Sequence, residues 1–193
     1  MPFVSPPRRS VVAGITSVAL LGPGLGLATA AASNPKPPKT VKATRITRQP
    51  GTLAPGSHVG VSKVVGQRTF TTATRGFALA SVASADYAVA TTDGGKTWKT
   101  DGPALHLHAL QAPLAVTFLG AANRKTVFAW GGGQVIDATN DGGKTWYRAL
   151  FTSGSPVAVV RDFAGHLLAF VQTFPGSSTV EYVSKDGGRT WRR

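Results

Sequence analysis

Thr91-Thr92-Asp93-Gly94-Gly95-Lys96-Thr97-Trp98 recurs as Thr139-Asn140-Asp141-Gly142-Gly143-Lys144-Thr145-Trp146 and again as Ser184-Lys185-Asp186-Gly187-Gly188-Arg189-Thr190-Trp191. The three aspartates are 48 and 45 residues apart. That period is in the range of propeller blades and outside that of helical hairpin repeats of about 34 residues. Each copy follows a short alternating or β-branched run (87–91, 135–138 and 180–184), and in each the Trp opens another short segment, which is the pattern of a hairpin turn between strands. Asp-Gly-Gly suits the bend, because the carboxylate accepts local backbone N–H groups and glycine tolerates positive φ. The Thr hydroxyl can lock the loop while the indole buries apolar area beneath it.

Two further apolar segments precede each copy: 68–72 and 76–81, 114–119 and 126–130, 157–161 and 166–171. With the strand that enters and the strand that leaves the turn, each unit has four strands, the content of one propeller blade. The sequence therefore predicts an all-β, propeller-like array of about three four-stranded antiparallel blades, open or completed by oligomerisation.

The pattern Ser/Thr-x-Asp-x-Gly-x-Thr-Trp resembles the Asp-box, or BNR repeat, of sialidases, sortilin-type receptors, reelin and proteins similar to the photosystem II assembly factor. The resemblance covers residues 68–193. It is specific for architecture and weak for activity, since a shared fold does not carry a function. In that family the boxes are structural hairpins on the face opposite the substrate site. The resemblance thus implies structural roles for Asp93, Gly95, Thr97, Trp98, Asp141, Gly143, Thr145, Trp146, Asp186, Gly188, Thr190 and Trp191, and against calcium or sugar binding by the boxes.

Other chemistries find less support. Gly95-Lys96-Thr97 and Gly143-Lys144-Thr145 echo a phosphate-binding loop, but Ala90 and Ala138 stand where that motif needs glycine, and a hairpin offers no helix N-terminus to an anion. A sialidase site would need an arginine cluster, a Tyr nucleophile with a Glu partner and an acid/base residue. Outside the boxes the only carboxylates are Asp86, Asp101, Asp137, Asp162 and Glu181, and the family's Arg-Ile-Pro signature is missing. Glu181 and Tyr182 are neighbours, which a strand points to opposite faces. No catalytic residue is assigned. His106 and His108 share one side of an extended segment, a spacing that can bind metal, yet no third ligand is nearby. No metal and no cofactor is expected.

If the boxes join strands 3 and 4, a ligand face would lie at the other end, on the turns at 82–86, 131–134 and 174–178 and the links at 102–113 and 152–156. Candidate contacts there are Asp86, Asp101, His106, His108, Gln134 and Phe174. Trp130 borders the same rim and could stack on a sugar or peptide, although its place beside Phe128 favours core packing.

The N-terminal part reads differently. Residues 1–32 carry Arg8-Arg9, an apolar run over 11–21, and a small-residue end at Ala28-Thr29-Ala30-Ala31-Ala32, the pattern of an export signal cleaved after Ala30 or Ala32. An uncleaved anchor over 11–32 is the competing reading, weakened by Gly22, Pro23, Gly24 and Gly26. The adjacent arginines match a twin-arginine signal poorly. Residues 33–57 are proline-rich and basic, and are expected to be an extended tether with solvated backbone, able to touch an anionic envelope surface. Residues 58–193 form the repeat domain.

Composition agrees. The 193 residues contain no cysteine, which removes disulfides, thiolate nucleophiles and iron–sulfur ligation. The net charge is +13, but only 14 basic against 8 acidic residues lie beyond position 50, so more than half of the excess is outside the blades. Nucleic-acid binding is accordingly disfavoured.

Signal and tether leave 136 residues for three blades, whereas closed propellers have about four to eight. Either two chains close a six-bladed ring, or residues 58–66 add strands to a partial blade, or the chain is shortened from a longer ancestor. The resulting expectation is an exported, non-catalytic module that binds a protein or glycan as an assembly or interaction scaffold, with a sialidase-like secreted glycosidase as the alternative.

Overall fold

A computed structural model describes residue 36, residues 39–105, residue 107, residues 118–131 and residues 133–193. The expected export signal at 1–32, together with His106 and His108, lies outside them. The described residues fall in one contact unit, Pro35–Arg193, and apart from a 3-10 turn at Val61–Lys63 every regular element is a strand.

In chain order the strands are β1 (Thr40–Lys42), β2 (Thr44–Arg45), β3 (His58–Val59), β4 (Val64–Phe70), β5 (Gly76–Val82), β6 (Ala85–Thr91), β7 (Trp98–Leu105), β8 (Phe118–Ala121), β9 (Val127–Trp130), β10 (Val135–Thr139), β11 (Tyr147–Leu150), β12 (Ser155–Arg161), β13 (Leu167–Gln172), β14 (Val180–Ser184) and β15 (Thr190–Arg192). They form three antiparallel sheets. Blade 1 is the meander β4–β5–β6–β7, blade 2 is β8–β9–β10–β11 and blade 3 is β12–β13–β14–β15. Each box forms the turn between the third and fourth strands, as the sequence predicts.

Each blade has a fifth strand that the repeat period does not announce. β1 pairs with β15 of blade 3, β2 with β11 of blade 2, and β3 with β7 of blade 1. The segment from 40 to 59 therefore crosses the outer edges of the blades in reverse order, as a strap. This corrects the expectation of a solvated tether for residues 40–45. Ala43 N–H donates to the Arg189 carbonyl at 2.9 Å, Ile46 N–H to the Trp146 carbonyl at 2.8 Å and Arg193 N–H to the Lys39 carbonyl at 3.0 Å. The physical reason is that a blade's last strand has an unpaired edge, and a nearby extended segment satisfies it more completely than water and removes an aggregation-prone edge. Val41 is buried between exposed Thr40 and Lys42 and lies opposite Trp191. Residues 58–66 likewise build no extra blade. His58–Val59 completes blade 1 and Val64 onward is its first strand.

The core follows from two-residue alternation. One face of blade 1 (Phe77, Leu79, Ala88) packs on one face of blade 2 (Leu119, Val127, Ala129). The other face of blade 2 (Phe128, Ile136, Ala138) packs on blade 3 (Leu167, Ala169, Tyr182). The outer face of blade 1 (Ala78, Ala80, Tyr87, Val89) is covered by the strap through Leu53 and Val59. Leu53 N–H donates to the Tyr87 hydroxyl at 3.1 Å, and the Thr100 hydroxyl donates to the Ala54 carbonyl at 2.6 Å. The box indoles of Trp98, Trp146 and Trp191 are the largest fully buried side chains, and truncating such a group typically costs about 3–5 kcal/mol.

Candidate functional site

Three of the eight acids, Asp93, Asp141 and Asp186, lie in the boxes. In box 1 Asp93 Oδ1 accepts the Thr91 hydroxyl at 2.7 Å and the Thr97 N–H at 2.9 Å, and Oδ2 accepts the Thr97 hydroxyl at 2.6 Å. Gly95 N–H closes the loop on the Thr91 hydroxyl oxygen at 2.9 Å, and the Trp98 indole N–H donates to the Gly95 carbonyl at 3.0 Å. Gly94 and Gly95 both sit at positive φ, 75° and 89°, a conformation that carries little steric cost only without a Cβ. The Thr97 hydroxyl and N–H, with the Thr91 hydroxyl, hold the Asp93 carboxyl far below the usual range.

Boxes 2 and 3 repeat the loop. Asp141 accepts the Thr139 hydroxyl at 2.8 Å and the Thr145 N–H at 2.9 Å. Asp186 accepts the Ser184 hydroxyl at 2.8 Å and the Thr190 N–H at 2.9 Å. Burial pushes both carboxyls up, but these donors together outweigh it and both end below the ordinary value. A carboxylate whose oxygens already receive two or three local donors has little left for a metal or a sugar hydroxyl. One departure separates the copies. In boxes 1 and 3 the indole bonds its own loop, whereas Trp146 donates across to the Asp101 carbonyl of blade 1.

Adjacent boxes also touch each other. Asn140 of box 2 donates its side-chain amide to the Asp186 carbonyl at 3.0 Å, and the Arg189 guanidinium lies 4.8 Å over the Tyr147 ring. The first-to-second strand turns lie at this end too, since Gly94 N–H bonds the Thr74 carbonyl and Gly142 N–H the Lys125 carbonyl. The boxes are thus part of the blade-to-blade joint.

The expected ligand face is only partly assembled. Asp86 lies at the start of β6 opposite Ser81 and Leu105, half-buried. Gln134 is exposed before β10, and its carbonyl receives the Phe151 N–H. Phe174 is exposed in the β13–β14 turn. Trp130 stacks between Phe118, at 4.9 Å, and Phe128, at 5.9 Å, and packs against the blade 2–blade 3 core.

Asp101 belongs to the opposite end. Its carboxylate lies against Gly143 of box 2, so close that a Cβ on that glycine would strike it. Burial, opposed by the charge of Arg75 and reinforced by Asp141, pushes the Asp101 carboxyl up to about 6. Sequence spacing placed it in the link after blade 1, but β7 runs on to Leu105 and keeps Asp101 within the sheet.

Two of the remaining described acids have structural partners, and Glu181 is exposed on β14. Asp137, fully buried, meets Arg148 across β10 and β11 in two hydrogen bonds of 2.8 and 2.6 Å. Asp162 holds His166 at 2.7 Å in the β12–β13 turn. Among the described residues no group of three His, Cys, Asp or Glu is placed to hold a metal.

A cleft of about 460 Å³ lies on blade 3, lined by Val183, Lys185, Asp186, Thr190, Arg192 and Arg193. The sequence reading missed this site. Its signal was Lys185 within the third box and Arg192-Arg193 after it, where the first two boxes have Thr92 and Asn140 inside and a single cation, Lys99 or Arg148, after the Trp.

Fold and loops together show Asp-box-like hairpins set in propeller-like blades. The BNR/Asp-box repeat family model matches residues 89–100 and 182–193, the first and third boxes. No curated protein matches the chain. Among solved structures it is similar to YCF48 bound to D1 peptide, at 18% identity and a TM-score of 0.46, over 72% of this chain and 44% of that one. The chain thus spans less than half the length of that relative.

Proposed function

We propose that the protein is exported and acts as a non-catalytic module that binds another protein through its blades. The observation that carries this reading is the commitment of five of the eight carboxylates: the box acids are held by their own loops, and Asp137 and Asp162 by Arg148 and His166. Most glycosidases use a pair of acids facing one space and sialidases a Tyr with a Glu partner. Here Glu181 is exposed while its neighbour Tyr182 is buried on the other face of β14, and Asp101, which lies near Asp141, is buried against Gly143. Exposed Phe174, Val160 and Val157, with basic groups beside blade 3, support protein contact over a sugar site. Export rests on the charged, apolar and small-residue order of residues 1–32.

Two experiments test the reading. Full chain expressed in its source cell is recovered from the envelope or medium with a new N-terminus after Ala30 or Ala32; retention of an intact N-terminus in the cytoplasm overturns export. Purified protein leaves a panel of fluorogenic sialosides untouched, while crosslinking in the envelope yields a defined protein partner. Sialoside turnover abolished by a single acid substitution would establish the glycosidase instead.

A further inference from the structure

The three blades have six faces, and the strap makes the two outermost ones unlike. The outer face of blade 1 is roofed by Leu53 and Val59. The outer face of blade 3 carries the other half of each strand's alternation. Val160, Leu168, Val183, Arg192 and Thr40 are cross-strand neighbours on one face, with Phe170, Glu181 and Lys42 beside them. Leu168, Phe170 and Val183 are only half-buried and Val160 is 44% exposed, while their strand neighbours Leu167, Ala169 and Tyr182 are fully buried in the core. The 460 Å³ cleft opens on this same face.

Charge decides what fits there. Lys42, Lys185, Arg192 and Arg193 are exposed along the outer part of the face, against Glu181 and the loop-bound Asp186. A second copy would bring the same cations together, which opposes self-pairing. The described part of the face has no exposed Trp or Tyr, the usual platform for a sugar ring. Addition of a strand at the inner edge is hindered too, because β12 carries Pro156 and a bulge between Pro156 and Ala158.

We propose that the outer face of blade 3 is the docking surface for an acidic polypeptide segment of another protein, its aliphatic side chains on Val160, Leu168, Phe170 and Val183 and its carboxylates on Lys185, Arg192 and Arg193. This rests on the protein-binding reading above and gives it a location and a partner chemistry.

The test selects a displayed library of random peptides of about twelve residues on the full chain. Enriched peptides are expected to combine Asp or Glu with Leu, Ile or Val, and to lose binding at least about ten-fold to the double variant Lys185→Glu/Arg192→Glu, with steep salt dependence. Lys144→Glu, an exposed box cation on blade 2, should leave them unchanged. Circular dichroism establishes that the variants are folded. Enriched peptides without acidic bias, equal binding to the double variant, or a stable dimer of the free chain that buries this face would each overturn the proposal. Peptide binding that ignores the double variant sinks the location while leaving a protein-binding module standing; an absence of any enriched peptide counts against both.

Discussion

At the residue scale the box aspartates act through geometry more than charge. Asp93 organises Thr91 and Thr97 into a closed loop above Trp98, so Asp93→Ala should lower the melting temperature and leave peptide affinity of the folded protein unchanged; an unaltered melting temperature with lost affinity would make it a ligand group. Gly102 shows a constraint that no motif advertises. Its φ is 130°, and a Cβ there would run into the Trp146 indole as it reaches for the Asp101 carbonyl. Gly102→Ala should therefore cost about 2 kcal/mol or more by chemical denaturation.

Asp101 gives the pH dependence its sign. Its folded value of about 6 lies above the ordinary 3.8, so the fold favours the protonated form, and its contribution is greatest in acid and lost as pH rises from about 4 to 6. Burial is the main cause, and its Oδ2 has no hydrogen-bond partner among the described residues. Asp101→Asn should flatten that slope and raise stability at pH 7 by on the order of 1 kcal/mol, below the ~3 kcal/mol upper bound of the displacement because Arg75 loses a counter-charge. Asp93, Asp141, Asp162 and Asp186 are depressed and act oppositely. Their stabilisation is present above about pH 4 and lost further into acid.

At the element scale the hairpins differ in how well their turns suit them. The boxes place glycine where φ is positive, but the β5–β6 turn places Ala83 at 49° and Ser84 at 62°. A two-residue hairpin with both positions positive favours Asn-Gly. The pair Ala83→Asn/Ser84→Gly should stabilise blade 1 by about 0.5–1 kcal/mol, read from the denaturation midpoint. Blades were legible in the sequence because an eight-residue box recurs at spacings of 48 and 45 residues and alternating runs flank it. The fifth strands were not, since β1, β2 and β3 are two or three residues long; β1 and β2 lie in a proline-rich, basic stretch whose composition outweighs the buried Val41, and β3 offers only the buried Val59. Asp101 was misplaced for a related reason, β7 being eight residues long where the period suggested a short strand.

For the whole molecule, the puzzle of three blades changes its form. An open array has unpaired outer edges and two end faces; among the described residues the strap pairs all three outer edges and roofs the end face of blade 1, and none covers that of blade 3. The net charge also acquires a place, because strap cations such as Lys42 stand beside Arg192 on that face. Ordered lacing of the blades by residues 40–59 is the claim on which both the fold and the docking face depend, and hydrogen exchange on the full chain measures it directly. Amides of Ala43, Ile46 and Arg193, which donate to the Arg189, Trp146 and Lys39 carbonyls, should be protected from exchange together with Tyr182 in the core of blade 3. Exchange at the rate of an unstructured chain at Ala43 and Ile46, with Tyr182 still protected, would show a free tether and contradict the account.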